Sequence, residues 1–202
     1  MAEHALAGLS AATVHEAYGG RGALPSAIKP VTARFRVCGP AFTVDCPPAD
    51  NLWLHRAVYA AAPGDILVAD VRGHTEAGYW GEVLSHAALV RQLGGLVITG
   101  GVRDTEEITA LGFPVFAANV CIRGTRKDPS AGGRLGEPIR IGDADVETGD
   151  TVVGDADGVV VVGADDVAAV AAAARARVTA EREMLELLRS GRSTIDILGL
   201  PT

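Results

Sequence analysis

The chain has 202 residues, of which 48% are hydrophobic and 21% are charged, and its formal net charge is -7. A chain of this length and hydrophobic content can bury a full core, so we expect one domain over residues 1–202. The negative charge disfavours direct binding to RNA or DNA, because nucleic-acid interfaces need a basic surface. Binding to a protein partner stays open.

The start of the sequence, Met1-Ala2-Glu3-His4, lacks the basic and apolar regions of a signal peptide. No apolar run is long enough to span a membrane, so we expect a cytoplasmic protein without a membrane partner. The three cysteines, Cys38, Cys46 and Cys121, show no Cys-x-x-Cys spacing. We expect them to be free thiols, and no sequence signature marks one as a nucleophile.

The first third of the chain alternates predicted helices and strands. Ser10 is expected to cap a short helix over residues 9–18, which Gly19-Gly20 ends. The pattern then predicts strands at 32–37 and 41–44 separated by Gly39-Pro40, a helix at 51–62 and a strand at 66–69. Asp70 follows that strand, at the carboxyl end where ligands bind in α/β sheets, and is therefore a candidate site residue.

A further helix is predicted from about Gly81 to the Gly94-Gly95 pair, with its apolar positions close to one face: Trp80, Val83, Leu84, Ala87 and Leu93. Glu82 and His86 are four residues apart and would form a solvated pair on that helix. A zinc site with these residues and His74 is not favoured, because the chain has no His-Glu-x-x-His sequence.

The centre of the chain combines a short strand, a glycine-rich turn and a helix. The apolar run 96–98 predicts a buried strand, Gly100-Gly101 is expected to break it, and residues 105–111 have a helical pattern. Arg103 and Asp104 fall between strand and helix. Arginine suits a carboxylate or a keto oxygen, and aspartate is a hard ligand for a magnesium-like ion. In the structural alternative, Asp104 forms a capping box with Glu107, and Arg103 pairs with surface carboxylates.

The second half of the chain is rich in predicted strands. A strand at 114–117 precedes a basic, glycine-rich loop at 123–136, whose cations either attract an anionic substrate or are solvated. Short strands with Gly-Asp turns follow over 139–162, and Asp155-Ala156-Asp157-Gly158 is expected to be a tight turn, because the full calcium-loop pattern is missing. A long helix is predicted over 165–190. The cations of the 123–136 loop, mentioned above, are Arg123, Arg126 and Lys127.

Several blocks resemble one known family: Gly94 to Asp104, Leu111 to Ala117, Gly149-Asp150 and Gly154 to Val162. That family contains the regulator of ribonuclease activity A and the class II 4-hydroxy-4-methyl-2-oxoglutarate aldolases. The resemblance extends from about Leu9 to Leu198. It implies an α/β fold with swivelling β/β/α layers and a ring of three or six chains, which periodicity alone does not predict.

The resemblance also implies an activity and its residues. The chain would be a lyase that cleaves 4-hydroxy-4-methyl-2-oxoglutarate-type substrates to pyruvate and decarboxylates oxaloacetate, through a pyruvate enolate. Asp104 would ligate Mg²⁺ or Mn²⁺, and Arg103 would oppose the developing negative charge. The block Gly81-Glu82-Val83-Leu84 would bind the substrate, with the N–H groups of Val83 and Leu84 on the pyruvyl carboxylate. No lysine stands in this block, so a Schiff-base mechanism is unsupported.

The resemblance further implies that water near Asp70 or Glu181 takes part in proton transfer. The resemblance implies that a glutamate of the last helix reaches the site of a neighbouring subunit, and Glu181 matches that position best, with Glu183 as the alternative. Thr99 departs from the family, in which many members carry aspartate; if that residue orients Arg103, threonine would do so with a weaker, neutral hydrogen bond.

Two other functions are weighed against the lyase. The chain could be a protein-binding regulator, resembling the family branch that inhibits ribonuclease E. The acidic surface of the chain would then contact basic segments of its partner. A methyltransferase, an older label in this family, is not supported, since no glycine-rich nucleotide fingerprint follows a first strand.

Overall fold

The structure is a computed structural model that describes residues 4–201. Most of the Met1–His4 stretch, used above to argue against a signal peptide, lies outside that range. Within it the helices are α1 Ala11–Ala17, α2 Leu52–Ala60, α3 Glu82–Val90, α4 Thr105–Leu111, α5 Val167–Arg189 and α6 Thr194–Leu198, with a 3-10 turn at Ala164–Asp166. The strands are β1 Lys29–Pro30, β2 Val37–Asp45, β3 Ile66–Asp70, β4 Gly78–Trp80, β5 Gly95–Val102, β6 Val115–Val120, β7 Arg134–Leu135, β8 Ile139–Ile141, β9 Ala144–Val146, β10 Thr151–Gly154 and β11 Val159–Val162.

One large sheet organises the molecule, in the order β1-β6-β5-β3-β2-β10-β11. Neighbours from β6 to β2 are parallel, whereas β10 and β11 continue from β2 as antiparallel strands. The segment from Gly22 to Pro30 touches both edges: Leu24 N–H donates to the Val159 carbonyl at 2.9 Å, and Lys29 and Pro30 form β1 against β6. The sheet therefore nearly closes on itself. Its parallel strands, together with the helices between them, confirm the predicted α/β class.

Helices cover the sheet in two groups. The first group, α2, α3 and α4, packs on the parallel strands with a buried side chain from each helix, such as Leu54, Leu84 and Ile108. The second group, α1 and the start of α5, packs on β10 and β11 through a smaller apolar cluster that includes Val14 and Val170. The parallel strands therefore end between helices of the first group, and that edge carries the candidate site.

Two predicted strand boundaries were wrong. Residues 32–36 are not a strand, and β2 runs straight through Gly39-Pro40. Proline has no N–H for a ladder, but Pro40 lies at the end of the β2–β10 pairing and just before the β2–β3 pairing that begins at Ala41, so the strand tolerates it there.

The second boundary error concerns β5, which the glycines were expected to end. The strand continues to Val102 because Gly101 pairs with Gly78 of β4 and Asn119 of β6. A Cβ atom at Gly101 would lie 2.6 Å from the Ala77 carbonyl oxygen, so glycine is needed for the close approach of these strands.

The predicted helices and the predicted strands at 66–69 and 114–117 agree with the structure to within a few residues, whereas β1, β4, β7 and α6 were not predicted. Ser10 caps α1 by accepting the Thr13 N–H at 3.1 Å, and the 155–158 turn closes the β10–β11 hairpin. Cys38, Cys46 and Cys121 are free. No helix in residues 4–201 combines the length and apolar character that a membrane span needs.

Candidate functional site

A cavity of about 290 Å³ lies at the carboxyl ends of β4 and β5. Its wall is built from the start of α3, the end of β5, the start of α2 and the loop that follows β6. It brings together most of the residues predicted for the site, namely Gly81, Val83, Leu84, Arg103 and Asp104. Glu82, also predicted, is the first residue of α3 and takes part through its backbone.

Asp104 binds the start of α3 rather than its own helix. Its Oδ2 atom accepts the backbone N–H of Glu82 at 3.0 Å. The residue has φ 56° and ψ 44°, and its side chain makes no capping bond to α4. The capping box with Glu107 is therefore wrong, because the left-handed backbone turns the carboxylate away from α4 and towards α3.

Gly81 makes this contact possible. A Cβ atom at residue 81 would lie 2.3 Å from Oδ2 of Asp104 and 3.2 Å from Cγ of Arg103. The φ of Gly81 is -162°, an extended conformation that any residue adopts, so the requirement for glycine is steric. The Arg-Asp pair thus packs directly on the backbone that begins α3.

Arg103 is fixed through its backbone and free at its side chain. Its N–H donates to the Trp80 carbonyl at 2.9 Å, which ties β5 to β4. The Nε atom lies 3.7 Å from Oδ2 of Asp104, and 47% of the side chain is exposed. The guanidinium therefore keeps donors available for a ligand in the cavity.

The first turn of α3 offers two free amides. The first four N–H groups of a helix have no carbonyl one turn back within it. Glu82 N–H donates to Asp104 and Ser85 N–H to the Gly81 carbonyl, but within residues 4–201 the N–H groups of Val83 and Leu84 have no partner. An anion placed there would gain two donors and the positive end of the helix dipole.

One of these two side chains differs from what was expected. Leu84 is buried, as predicted, but Val83 is 76% exposed, so it does not belong to the core face of α3. The helix is held in place by Trp80, whose Nε1–H donates to Ser85 Oγ at 2.8 Å. Ser85 Oγ in turn donates to the Gly81 carbonyl at 3.0 Å, which fixes the first turn.

Another part of the wall was largely missed by sequence reasoning. Asn51 and His55 of α2, with Thr125 and Lys127 of the loop, line the same cavity. The Asn51 Nδ2–H donates to the Tyr79 carbonyl at 2.8 Å, and its buried Oδ1 atom accepts no bond within residues 4–201. Burial lowers the pKa of His55, and nearby Lys127 lowers it further. The Asn51-His55 spacing of four residues was the available signal, because it places both on one helix face.

A model of the RraA-like family, described as Aldolase/RraA, matches residues 11–161. The chain belongs to the Aldolase/RraA family. A relative from Halalkalibacterium halodurans, named provisionally as a 4-hydroxy-4-methyl-2-oxoglutarate aldolase, is 36% identical over 149 residues, which cover 74% of this chain and 70% of the relative. The predicted family is therefore confirmed.

Solved structures support the fold of this Aldolase/RraA family member. An uncharacterised protein from Pseudomonas syringae pv. tomato is 27% identical with a TM-score of 0.82, covering 94% of this chain and 88% of that one. The RNA-processing inhibitor RraA from Thermus thermophilus is 24% identical with a TM-score of 0.68, covering 75% and 91%. The second likeness is one of fold alone.

Asp70 and Thr99 bond to each other outside the cavity lining. Thr99 Oγ1 donates to Asp70 Oδ1 at 2.9 Å and accepts the Val71 N–H at 2.9 Å. Within residues 4–201 the Thr99 hydroxyl makes these two bonds and none to Arg103, so in this structure Thr99 does not orient the arginine. Neither Asp70 nor Thr99 is among the residues that line the cavity.

Glu181 also lies away from the cavity of its own chain. It sits in α5 and pairs with Nε of Arg177 at 2.9 Å, and Arg177 also contacts Glu16 of α1. Glu183 is an exposed residue of the same helix. A contribution of either glutamate to catalysis requires a neighbouring chain, and this stays a prediction.

Asp104 suits one type of metal site. Its side chain is 38% exposed, and within residues 4–201 its Oδ1 atom accepts no hydrogen bond. The described residues contain no group of three or more His, Cys, Asp or Glu side chains that could hold an ion. An ion at Asp104 would therefore have one protein carboxylate and complete its shell with water and substrate oxygens, as Mg²⁺ accepts.

Proposed function

We propose that this protein is a divalent-metal-dependent lyase that cleaves 4-hydroxy-4-methyl-2-oxoglutarate-type substrates to pyruvate and decarboxylates oxaloacetate. One observation carries this assignment: Arg103, Asp104 and the free N–H groups of Val83 and Leu84 surround a single cavity. These are the donors and the oxygen ligand that a 2-oxo acid needs. The family relative named for this aldolase activity supports the same reaction class.

Different residues bind the two ends of the pyruvyl group. The two amides bind its carboxylate, because they offer parallel donors at the positive end of α3. The exposed guanidinium of Arg103 faces the 2-oxo group and opposes the negative charge that develops there. Aldol cleavage and β-decarboxylation both leave an enolate of pyruvate, so one arrangement serves both reactions.

Asp104 would hold Mg²⁺ or Mn²⁺, and its hydrogen bond from the Glu82 N–H keeps the carboxylate at the N-terminus of α3. When bound, the ion supplies Lewis-acid polarisation of the 2-oxo group. The contact also couples the two parts of the site, because the residue that would hold the ion orients the helix whose amides bind the carboxylate.

The cavity lining includes Lys127, one of the loop cations for which the sequence left substrate attraction open. Lys127 is exposed, whereas a Schiff-base lysine needs a desolvated environment that lowers its pKa. We therefore assign Lys127 no covalent role. Treatment with borohydride in the presence of pyruvate is expected to leave the activity unchanged, and inactivation with a mass increase on Lys127 would contradict this assignment.

A screen of 2-oxo acids tests the function directly. Pyruvate release is measured with 4-hydroxy-4-methyl-2-oxoglutarate and oxaloacetate, each with Mg²⁺, and with Arg103→Ala protein as the matched control. We expect release by the wild type and loss in the variant. No release from either acid by folded wild type would favour the alternative, a non-catalytic protein-binding regulator of a ribonuclease, and capture of such a partner would then be measured.

A further inference from the structure

Asn51, the residue that precedes α2, has a buried acceptor that no group in the described chain uses. The residue is 6% exposed and belongs to the cavity lining. Within residues 4–201 its Oδ1 atom is buried and makes no hydrogen bond. Buried polar atoms are nearly always hydrogen-bonded, so an unpaired acceptor in a cavity wall indicates a donor that comes from outside the chain.

The orientation of the Asn51 amide is fixed by the backbone of β4. Its Nδ2 atom donates to the Tyr79 carbonyl at 2.8 Å. Rotating the amide by half a turn would bring Oδ1 against that carbonyl, and two acceptors cannot bond to each other. The backbone N–H of Asn51 is also used, because it donates to the Arg126 carbonyl at 3.1 Å. Oδ1 is therefore the group that Asn51 offers to a ligand.

Asn51 is tied to the same short strand as the groups that bind the pyruvyl unit. Its side chain bonds to the carbonyl of Tyr79, and the N–H of Arg103 bonds to the carbonyl of Trp80, the next residue of β4. Gly81 follows directly and begins α3. We therefore expect Asn51 to contact the part of a substrate that is joined directly to the pyruvyl unit.

An acceptor selects for a donor, and the two acids of the proposed function differ in their donors. The carboxylates of both acids are ionised at neutral pH and can only accept. 4-Hydroxy-4-methyl-2-oxoglutarate has a hydroxyl on C4, the carbon joined to the pyruvyl unit, whereas the keto form of oxaloacetate has no O–H at all. The polarity of Asn51 Oδ1 and its place in the site both match this hydroxyl.

We propose that Asn51 Oδ1 accepts a hydrogen bond from the 4-hydroxyl of the aldol substrate and so favours aldol cleavage over decarboxylation in the same cavity. This inference rests on the proposed function, since it takes the pyruvyl unit to lie at Arg103. In cleavage the C3–C4 bond breaks and its electron pair forms the enolate, while the 4-hydroxyl becomes a carbonyl and gives its proton to water. Asn51 orients the O–H bond for this step and does not take the proton itself.

Comparison of the two reactions separates this role from a structural one. Asn51→Ala removes the acceptor, and kcat/KM for pyruvate release is measured with each acid and Mg²⁺, after subtraction of the rate without protein. We expect kcat/KM for the hydroxy acid to fall about tenfold, as for the loss of one buried hydrogen bond, and kcat/KM for oxaloacetate to stay within about twofold of the wild type. A residue with only a structural role would lower both by the same factor.

Two further variants serve as control and rescue. Asn119→Ala removes the same amide from a half-buried position in β6 that does not line the cavity, and it should leave both reactions unchanged. Asn51→Asp keeps an oxygen acceptor at the original position. It should cleave the hydroxy acid faster than Asn51→Ala does, relative to oxaloacetate, because the 4-hydroxyl again has a partner.

A measurement on the wild type covers the case in which Asn51→Ala does not fold. 4-Methyl-2-oxoglutarate lacks the hydroxyl and is not cleaved by the aldol route. We expect it to inhibit oxaloacetate decarboxylation about tenfold more weakly than 4-hydroxy-4-methyl-2-oxoglutarate does as a competing substrate. In folded Asn51→Ala the two acids should inhibit about equally.

The outcomes distinguish this inference from the function on which it rests. Equal losses of the two reactions in folded Asn51→Ala, or equal inhibition of the wild type by the two acids, would overturn the role of Asn51 and leave the lyase assignment standing. The Oδ1 atom would then be satisfied by a water molecule. Release of pyruvate from oxaloacetate alone would overturn the role of Asn51 together with the aldolase activity, and release from neither acid would overturn the whole lyase assignment.

Discussion

The carboxylate of Asp104 accepts the backbone N–H of Glu82 at 3.0 Å, so the residue that precedes α4 caps α3 instead. The two residues are far apart in the chain and meet because β4 and β5 lie side by side. The same carboxylate lies 3.7 Å from Nε of Arg103. A ligand that binds the guanidinium, the carboxylate or the amides of α3 therefore acts on one connected unit.

Asp104→Asn tests whether this carboxylate is needed for its charge. Asparagine keeps an oxygen for the Glu82 N–H and tolerates the left-handed backbone, so the thermal midpoint should change little. The charged ligand is lost, and we expect kcat/KM for oxo-acid cleavage to fall at least about tenfold. Asp104→Ala is the control for the structural role and should also cost about 1 kcal/mol of stability. Full activity in Asp104→Asn would assign the residue to structure.

Much of the fold follows from patterns that lie within one element. The apolar run at β5, the Ser10 cap of α1 and the length of α5 were predicted because each depends on residues close in sequence. The boundaries at Pro40 and Gly101 were missed for the opposite reason. They depend on which strand is the neighbour, and pairing between distant segments leaves no periodic signal in the chain.

The site residues also fall into those that local sequence predicts and those that depend on contacts between distant segments. Arg103 and Asp104 were found because a strand, a turn and a helix follow one another in sequence. The partner of Asp104 is a backbone N–H, which any residue would supply, so composition could not identify it. Lys127 was noted as a cation, but its place in the cavity depends on Asp50, a buried carboxylate whose bonds cross from α2 to the loop.

Arg103→Lys tests the shape of the cation. Lysine keeps the charge but loses the planar fork of donors, which a surface ion pair would tolerate and a site for a keto oxygen would not. We expect kcat/KM to fall at least about tenfold, equivalent to roughly 1.4 kcal/mol of transition-state stabilisation. The thermal midpoint should stay nearly unchanged, because the backbone bond to Trp80 is kept. Unaltered kinetics would make Arg103 a surface residue.

The stability of the fold should depend on pH through Asp45. This buried carboxylate accepts from Arg72 at 2.8 and 2.9 Å and from Arg134 at 3.0 Å, and the hydrogen bond from Arg72 is the main cause that lowers its pKa. The pKa of Asp45 is lower in the folded chain than in the unfolded chain. The ionised carboxylate therefore makes its full contribution to the free energy of unfolding above about pH 4, and this contribution is lost as the pH falls through the pKa of the folded state.

Asp45→Asn should therefore lower the free energy of unfolding at pH 7 by roughly 1.5–3 kcal/mol and flatten its dependence on pH below about 4. Urea denaturation at several pH values measures both effects. Asp143→Asn, at an exposed aspartate, is the control and should follow the wild type. Parallel curves for wild type and Asp45→Asn would show that Asp45 does not cause the acid sensitivity.

The oligomeric state decides whether Glu181 has access to a site. We expect light scattering at micromolar concentration to give the mass of three or six chains, as the family resemblance implies; Glu181 pairs with Arg177 outside the cavity of its own chain, so it could reach only a neighbour's site. In such a ring, Glu181→Gln should lower turnover and Glu183→Gln should not, and a loss in Glu183→Gln alone would assign the role to Glu183 instead. A monomer mass would remove both glutamates from the mechanism.

Removal of the metal should abolish the reaction without unfolding the protein. Asp104 is the carboxylate in the cavity lining, so an ion there would be held by one protein oxygen and should exchange readily. We expect excess chelator to stop pyruvate release and Mg²⁺ or Mn²⁺ to restore it, because a hard oxygen ligand suits these ions. The thermal midpoint should change little, since the described residues contain no cluster of ligands on which folding would depend. Undiminished turnover in excess chelator would leave Arg103 and the α3 amides as the groups that stabilise the enolate, and would remove the metal from the mechanism.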